Sequence, residues 1–243
     1  MPTFIARDIK ALLAHLAKPN IKNKKIGLVP TMGSLHEGHM ALVEKSKRIS
    51  EYSIVTIFIN PMQFNNKKDL NSYPSSEKID IKKLKSKKVD LIFIPSIKEI
   101  YPKEFSSYIT LGKYDDVLCS KKRKNHFTGV ATVIIKLFNL CKPTHAFFGE
   151  KDFQQLFLIK KMVKDLNLGV KIISIPTVRE ASGLALSSRN ELLNSKGLTI
   201  AKQIFSNFKK IKCLDHKYSK SLELYLKNEF KKSGLNNIEY LEV

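Results

Sequence analysis

Short apolar runs alternate with amphipathic segments along most of the chain. Five of these runs predict buried strands, at residues 25–29, 53–59, 89–94, 145–148 and 170–175. Apolar residues at helical spacing predict helices over residues 5–18, 36–50, 76–87, 130–141 and from 152 to 167. Strands that alternate with helices through short connections are typical of an α/β fold, so we predict a parallel sheet with helices on both faces.

The character of the sequence changes after Pro176. Residues 179–190 form a polar segment that contains serines and two arginines. Two helical segments, over residues 194–212 and 218–232, and a short strand at 238–243 are predicted to follow it. We therefore expect two domains, an α/β domain of residues 1–176 and a small α+β domain of residues 177–243.

The first strand leads into a segment with a distinctive pattern. Residues 29–39 read VPTMGSLHEGH, in which a proline and a glycine end the strand before a helix begins near His36. A strand followed by a glycine turn and a helix N-terminus commonly holds a phosphate group. His36 and His39 lie about one turn apart on the same helix face, and Gly38 lets a ligand approach the backbone closely.

The histidine pair favours a phosphate site over its alternatives. A lone histidine here would be explained as a buried core residue, but two in this spacing predict donors of hydrogen bonds to phosphate oxygens. The chain has neither a G-x-x-x-x-G-K-S/T nor a G-x-G-x-x-G motif, which excludes a P-loop and a dinucleotide fingerprint. Zinc binding would need a third ligand of matching spacing, and the sequence nearby offers none.

Further polar clusters follow other predicted strands. Gln63 and Gln155 come after different strands, and their amides both donate to and accept from a small hydroxylated acid. Lys151 and Asp152 open a helix. The aspartate is explained as a helix cap, whereas the lysine opposes the helix dipole unless an anionic ligand binds there. Residues 187–189 offer two hydroxyls and a guanidinium to a triphosphate. Because ligands bind beyond the carboxyl ends of parallel strands, these clusters predict one shared site.

Bulk properties narrow the class of protein. The chain has 243 residues, 43% of them hydrophobic, so it can bury a sizeable core. Its formal net charge is +21, but the lysines are scattered without interleaved aromatic residues, so nucleic acid is not the expected partner. Charged residues in the first 20 positions and the lack of a long apolar stretch predict neither a signal peptide nor a membrane anchor. Three widely spaced cysteines predict reduced thiols and a cytoplasmic protein.

Four segments, in this order and at these separations, resemble the pantothenate synthetase (pantoate–β-alanine ligase) family of H-x-G-H nucleotidyltransferases. They read VPTMGSLHEGH at 29–39, IFINPMQF at 57–64, FFGEKDFQQL at 147–156 and GLALSSRN at 183–190. The resemblance implies a Rossmann-like α/β domain and a small C-terminal lid hinged near Pro176. It also implies an ATP-dependent ligase that joins pantoate and β-alanine to give pantothenate, through a pantoyl-adenylate intermediate, with release of AMP and pyrophosphate.

The resemblance also assigns roles by position. It implies that ATP contacts Met32, Gly33, Ser34, Leu35, His36, Glu37, Gly38, His39, Gly149, Glu150, Lys151, Asp152, Val178, Leu186, Ser187, Ser188 and Arg189. His36 and His39 are implied to act on the phosphates, with His39 as a proton donor. Gln63 and Gln155 are implied to bind pantoate, and Gln63 also to contact β-alanine. Mg²⁺ is expected with the triphosphate, with no protein ligand assigned to it, and the family implies a homodimer.

Two departures from the family pattern limit these assignments. The family continues beyond the segment that matches residues 240–243, so we expect a shortened lid. Asn125 precedes His126 where the family more often has a small residue such as glycine, so no role is assigned to that loop. Three alternatives stay open: another H-x-G-H nucleotidyltransferase, a basic RNA-binding protein on a synthetase-like scaffold, and an inactive relative. RNA binding that weakens steeply with salt, without ATP turnover, would favour the second.

Overall fold

A six-stranded sheet in which every neighbouring pair of strands is parallel forms the centre of the computed structural model. The structure describes residues 2–114, 117–211 and 219–242. The strands are β1 (Phe4–Ala6), β2 (Ile26–Thr31), β3 (Tyr52–Ile57), β4 (Leu91–Phe93), β5 (His145–Gly149) and β6 (Lys171–Ile175). Their order across the sheet is β1-β4-β3-β2-β5-β6.

Helices connect the strands and continue beyond the sheet. Within the described residues they are α1 (Ile9–Leu16), α2 (Pro19–Lys22), α3 (Glu37–Ile49), α4 (Lys67–Asn71), α5 (Glu77–Ser86), α6 (Ile97–Ile100), α7 (His126–Cys141), α8 (Phe153–Asp165), α9 (Ser195–Ile211) and α10 (Ser219–Lys232). Short 3-10 turns cover Pro61–Gln63, Gly112–Tyr114, Leu118–Lys121, Glu150–Asp152 and Ser188–Leu192. No helix in these ranges is both long enough and apolar enough to cross a bilayer.

The two faces of the sheet carry separate apolar cores because successive side chains of a strand point to opposite faces. On one face, Leu28 and Ile54 belong to a cluster that includes residues of α1, α7 and α8. On the other face, Val29 and Val55 belong to a cluster that includes residues of α3 and α5. The prediction of an α/β parallel sheet with helices on both faces is therefore confirmed.

The strand order places a crevice between β2 and β5. From β2 the chain proceeds to β3 and β4 on one side, whereas β5 and β6 lie on the other side. Such a reversal of strand order opens a crevice beyond the carboxyl ends of the two central strands, where α/β proteins bind ligands. Thr31 ends β2 and Gly149 ends β5, so the two longest motifs of the sequence meet at this crevice.

Two elements differ from the sequence prediction. Residues 5–18 were predicted as one helix, but the chain first forms β1 beside β4, and Asp8 then caps α1 through its side chain. Because Ile5 and Ile9 are four residues apart, this segment also fits the helical period, and its pairing with β4 decides the strand. The predicted strand at 238–243 is also wrong, since residues 235–242 form no strand. Ile238 and Leu241 pack instead against a C-terminal apolar cluster.

That cluster is the core of the C-terminal part. It contains Ile211 of α9 together with Leu222, Leu226 and Phe230 of α10. The predicted end of the first C-terminal helix at residue 212, the start of the second at 218, and Cys213 lie outside the described residues. The two cysteines inside them, Cys119 and Cys141, are free thiols.

Candidate active site

The turn after β2 is held by a buried carboxylate from a distant part of the chain. Asp80 of α5 is 1% exposed, and its two oxygens accept hydrogen bonds from the backbone N–H groups of Ser34 and Leu35, each at 2.8 Å. Gly33 (φ 81°) and Ser34 (φ 49°) lie in the left-handed region, which glycine adopts freely, whereas Ser34 needs the turn to be anchored. Lys83 of α5 donates to the carbonyl oxygen of Leu35. These bonds fix the path by which the chain enters α3.

His36 and His39 cap the N-terminus of α3 with their own rings. His36 Nδ1 accepts from the N–H of Gly38 at 3.1 Å, and His39 Nδ1 accepts from the N–H of His36 at 3.3 Å. Because each Nδ1 is an acceptor, the proton of each neutral ring lies on Nε2. The ring centroids are 4.1 Å apart. Both rings therefore offer an Nε2–H donor at a helix terminus that favours anions.

Burial and neighbouring cations keep both rings uncharged. Burial lowers the pKa of His39 from 6.5 to about 3, with His36, Lys151 and Lys83 as further causes. Burial also lowers the pKa of His36, and Lys151 and Lys83 act in the same direction. The site thus holds two neutral donors beside two cations, a set that suits an anionic ligand.

We expect the lowered pKa of His39 to make the folded protein less stable as the pH falls from 7.5 to 5.5. The unfolded chain protonates His39 near pH 6.5 and the folded protein only near pH 3, so the unfolded state binds more protons between these values. From pH 7.5 to 5.5 the free energy of unfolding should fall by about 1.4 kcal/mol on account of His39 alone. Urea unfolding at both pH values checks this. The fall should be smaller by that amount in a His39→Asn variant, and an equal fall in both proteins would contradict the prediction.

Two adjoining pockets open at the carboxyl ends of β2 and β5. The central pocket, of about 210 Å³, extends towards α7, where its wall is apolar and includes Val130, Val133, Ile134 and Leu137. The side pocket, of about 120 Å³, lies towards β6 and includes Gly38, Gly149, Val178 and Leu186. The wall between them is shared and mainly polar, consisting of Pro30, His36, His39, Phe148, Lys151, Asp152 and Gln155. Groups bound in the two pockets would therefore meet at the histidines and Lys151.

Asn60 fixes the orientation of Gln63 in the central pocket. Asn60 is buried, and its Nδ2 donates to Gln63 Oε1 at 3.1 Å and to the carbonyl oxygen of Gly129 at 3.0 Å. Its Oδ1 accepts from the hydroxyl of Tyr101 at 2.8 Å and from a backbone N–H at 3.3 Å. Four bonds leave the amide one consistent orientation. Gln63 Oε1 is thus engaged, and Nε2 donates one of its two hydrogens to Met32 Sδ at 3.0 Å, so the second N–H of Nε2 is the group left for a ligand.

His126, at the start of α7, lines the central pocket beside Arg123. Its Nδ1 lies 2.7 Å from the carbonyl oxygen of Gln63, which only accepts, so Nδ1 carries the proton and Nε2 is left as an acceptor. Burial lowers the pKa of His126. Arg123 and Arg189 add to this, whereas the bond to Gln63 and the charge of Asp152 oppose it. His126 is therefore a neutral acceptor, the opposite of His36 and His39.

The loop after β6 reaches back to the turn after β2. Ser188 is buried and donates to the carbonyl oxygen of Ser34 at 3.0 Å. The guanidinium of Arg189 pairs with Asp69 at 3.2 Å and lies over the ring of Tyr73, 5.2 Å from its centroid. The predicted segment of two serines and an arginine thus forms part of the pocket rather than a separate linker.

Most of the predicted site residues come together. Those that line one or both pockets are Met32, His36, Gly38, His39, Gln63, Lys151, Asp152, Gln155, Gly149, Val178, Leu186, Ser187, Ser188 and Arg189. Five others line neither pocket, namely Gly33, Ser34, Leu35, Glu37 and Glu150. The N–H groups of Ser34 and Leu35 are taken by Asp80, and Glu37 and Glu150 are exposed.

Four residues that no sequence pattern assigned to the site lie here: Asn60, Asp80, Arg123 and His126. Asn60 lies inside a segment that the family resemblance already used, and His126 opens a segment that was set aside because of Asn125. Asp80 gave no signal, since it lies on a lysine-rich helix far along the chain from the turn that it binds.

Comparisons with known proteins show which enzyme family this chain is similar to. The family model described as pantoate-β-alanine ligase matches residues 4–243. The pantothenate synthetase of Thermosipho africanus is 45% identical over 95% of this chain and 84% of its own length. That of Carboxydothermus hydrogenoformans is 42% identical over 97% and 85%.

A solved structure resembles the whole described architecture. The pantoate-β-alanine ligase of Francisella tularensis, crystallised with β-γ ATP and β-alanine, superimposes with a TM-score of 0.87. It is 40% identical and covers 99% of this chain and 90% of its own. With the family model spanning nearly the full chain and relatives above 40% identity, the protein belongs to the pantoate–β-alanine ligase family of enzymes.

Proposed function

We propose that the protein joins pantoate to β-alanine with ATP, through pantoyl adenylate, and releases pyrophosphate and AMP. The observation that carries the proposal is the polar wall shared by the two pockets. Attack of a carboxylate in one pocket on a phosphate in the other needs donors and a cation at the boundary, where His36, His39 and Lys151 lie. The names of the relatives, and the ATP and β-alanine complex of the Francisella enzyme, support the same substrates.

The lining of each pocket supports a division between the substrates. The side pocket suits the nucleotide, because Gly149 leaves room beside the backbone and Val178 and Leu186 supply apolar contacts. The space beside Gly38, which the sequence suggested for a ligand, is taken by the ring of His36. The central pocket suits pantoate, because Gln155 and the Nε2 of Gln63 can bond its polar groups. The apolar wall of α7 suits its branched carbon.

In the first step a carboxylate oxygen of pantoate attacks the α-phosphorus of ATP and pyrophosphate leaves. Negative charge shifts onto phosphate oxygens during this transfer, so preorganised donors lower the barrier. The Nε2–H groups of His36 and His39 and the ammonium of Lys151, which pairs with Asp152 at 3.2 Å, lie at the shared wall and would bond those oxygens. The neutral His39 is thus a proton donor in the hydrogen-bonding sense. Positioning and charge stabilisation suffice for this step, without a nucleophilic side chain.

Magnesium belongs to the same proposal. Within the described ranges no three or more histidine, cysteine, aspartate or glutamate side chains are grouped to hold a metal ion. Mg²⁺ usually binds through substrate phosphates and one or two carboxylates. Asp152 lies on the shared wall, where its Oδ1 pairs with Lys151 at 3.2 Å, and it is the carboxylate that we propose would contact the ion. When bound, the ion would neutralise part of the triphosphate charge.

The lid, the homodimer and the cytoplasmic location complete the proposal. We infer that residues 177–243 act as a small lid, because they have their own apolar cluster and contact the turn after β2 through Ser188. Closure would shield the adenylate from water.

Two exposed aromatic side chains on α8, Phe153 and Phe157, offer an apolar surface for a second copy of the chain. Sedimentation in solution tests the dimer.

The experiment that tests the function measures pyrophosphate and AMP separately. With ATP and Mg²⁺, pyrophosphate should form only when pantoate is present, and AMP should turn over only after β-alanine is added. A carboxylic acid without the hydroxyl groups of pantoate serves as the control substrate. Pyrophosphate release that does not depend on pantoate would refute the proposal.

A further inference from the structure

We propose that His126 accepts a proton from the amine substrate and that Arg123 binds the carboxylate of that substrate. The inference rests on the proposed function and adds a site for its second substrate. Both residues line an outer pocket of about 300 Å³ that adjoins the central pocket at Met32, Gln63 and Arg189. The outer pocket therefore leads from solvent to the place where the adenylate of the first step would lie.

The three histidines of the site differ in the nitrogen that they present. His36 and His39 use Nδ1 as an acceptor inside the fold and offer Nε2–H. His126 uses Nδ1–H as a donor to the carbonyl oxygen of Gln63 at 2.7 Å, which leaves the lone pair of Nε2 unused by that bond. The first two suit an anionic phosphate, and the third suits a group that has to lose a proton.

The amine of β-alanine has to lose a proton before it can react, because it is an ammonium ion at neutral pH and has no free electron pair. In the proposed step the ammonium gives one proton to His126 Nε2, and the freed electron pair attacks the acyl carbon of the adenylate. The bond from that carbon to the phosphate oxygen breaks, and AMP leaves with its electron pair. The nitrogen loses a second proton to solvent as the amide forms, and His126 returns the first proton to solvent.

Charges around His126 keep its ring available as a base. Arg123 precedes it in the chain, Arg189 approaches from the loop after β6, and Asp152 from the turn after β5. The two arginines and burial lower the pKa of His126, whereas Asp152 raises it. The neutral ring therefore predominates at pH 7 and above, so the acceptor is ready before the amine arrives.

Arg123 is the guanidinium that would bind the carboxylate at the other end of the amino acid, and Lys122 is a further cation of the outer pocket. Its side chain is exposed and makes no hydrogen bond or ion pair with another residue in the described part of the chain. Arg189, the other arginine of the outer pocket, already pairs with Asp69. A guanidinium binds a carboxylate with two parallel bonds, which would orient the amine towards His126.

The first test uses His126→Asn in single-turnover experiments that separate the two steps. The asparagine amide can replace Nδ1–H towards Gln63, but it has nothing in place of Nε2. Pantoate-dependent pyrophosphate release should stay within about threefold of wild type, and capture of the adenylate by β-alanine should slow by about 10²-fold or more. Hydroxylamine, already neutral at pH 7, should capture the adenylate equally in both proteins.

The pH profile gives a readout that a structural role would not change. At saturating β-alanine the wild-type capture rate should be level from pH 7 to pH 9, whereas the variant rate should rise about tenfold per pH unit with the fraction of free amine. A wild-type rate that rises in this way, an unchanged capture step in the variant, or equal loss of both steps would each overturn the assignment of His126. Loss of pantoate-dependent pyrophosphate release in the wild type would instead refute the proposed function.

Arg123→Met tests the carboxylate contact. The KM for β-alanine should rise at least about tenfold, and the preference of the wild type for β-alanine over propylamine, which lacks the carboxylate, should largely disappear. Lys124→Met is the matched control, since Lys124 is exposed, carries the same charge and lines neither the central nor the outer pocket. An equal rise of the KM for β-alanine in both variants would show that positive charge attracts the substrate only in a general way, and it would overturn the specific contact with Arg123.

Discussion

Replacement of His39 by asparagine should reduce pantoate-dependent pyrophosphate formation by about 10²- to 10³-fold while the fold stays intact. The asparagine oxygen can take the place of Nδ1 and accept the N–H of His36, so the cap of α3 is kept. The variant lacks the Nε2–H donor, which in the wild type lies at the shared wall of the two pockets. A donor aimed at developing charge is worth this much because it acts in a site largely removed from water.

Glutamine at the same position separates the effect of losing the Nε2–H donor from the effect of losing the helix cap. In His39→Gln the amide N–H₂ reaches the position of Nε2–H, but no acceptor remains for the N–H of His36. This variant should keep more activity than His39→Asn and should lose about 1 kcal/mol of stability through the missing cap. The two rates come from pyrophosphate release and the stabilities from urea unfolding. If the asparagine variant were the more active of the two, the role assigned to Nε2 would be wrong.

Replacement of Gly129 by alanine should lower kcat/KM for pantoate by about 10²-fold. Gly129 lies in the first turn of α7, against the turn that carries Gln63. A Cβ there would lie 2.4 Å from the carbonyl oxygen of Met62 and 2.8 Å from the backbone nitrogen of Gln63. Backbone atoms cannot rotate away from such a contact, so the turn and its glutamine have to move. The carbonyl oxygen that Asn60 bonds belongs to Gly129 and would move as well.

Gly169→Ala is the matched control for that substitution. A Cβ at Gly169 would meet nothing within 4 Å, and its φ angle is open to other residues. Its activity should equal that of wild type, and its stability should be unchanged or slightly higher, because alanine restricts the unfolded chain. Gly129→Ala should also lose about 1–3 kcal/mol of stability from overpacking. Wild-type kinetics for pantoate in Gly129→Ala would show that the contact with the Gln63 turn is not required.

The sequence by itself determined the class of fold and the place of the site. Apolar runs rich in β-branched residues, each followed by turn residues and an amphipathic segment, have one common solution, a parallel sheet covered on both faces. Parallel strands bring their carboxyl ends to one edge. Polar clusters after different strands, such as those with His39, Gln63 and Lys151, therefore had to meet there.

The tertiary structure decided which atoms of those residues are offered to a ligand. Asp80 holds the turn before α3 across 45 residues of chain, and Asn60 engages the Oε1 of Gln63, so that only N–H groups of its amide remain for a ligand. The carbonyl oxygen of Gln63 fixes the tautomer of His126 in turn. These are contacts between residues with no fixed spacing in the sequence, so no local pattern encodes them.

The same reason explains the two wrong elements. The three residues of β1 form a strand because β4 offers them a free edge, and residues 238–242 form none because their apolar side chains pack on α9 and α10. The backbone groups of a strand need hydrogen-bond partners on another segment, which local sequence does not identify, whereas those of a helix bond within the segment. Local periodicity therefore predicted the longer helices and five of the six strands, and only packing in three dimensions settled β1, the short helices and the donors and acceptors of the site.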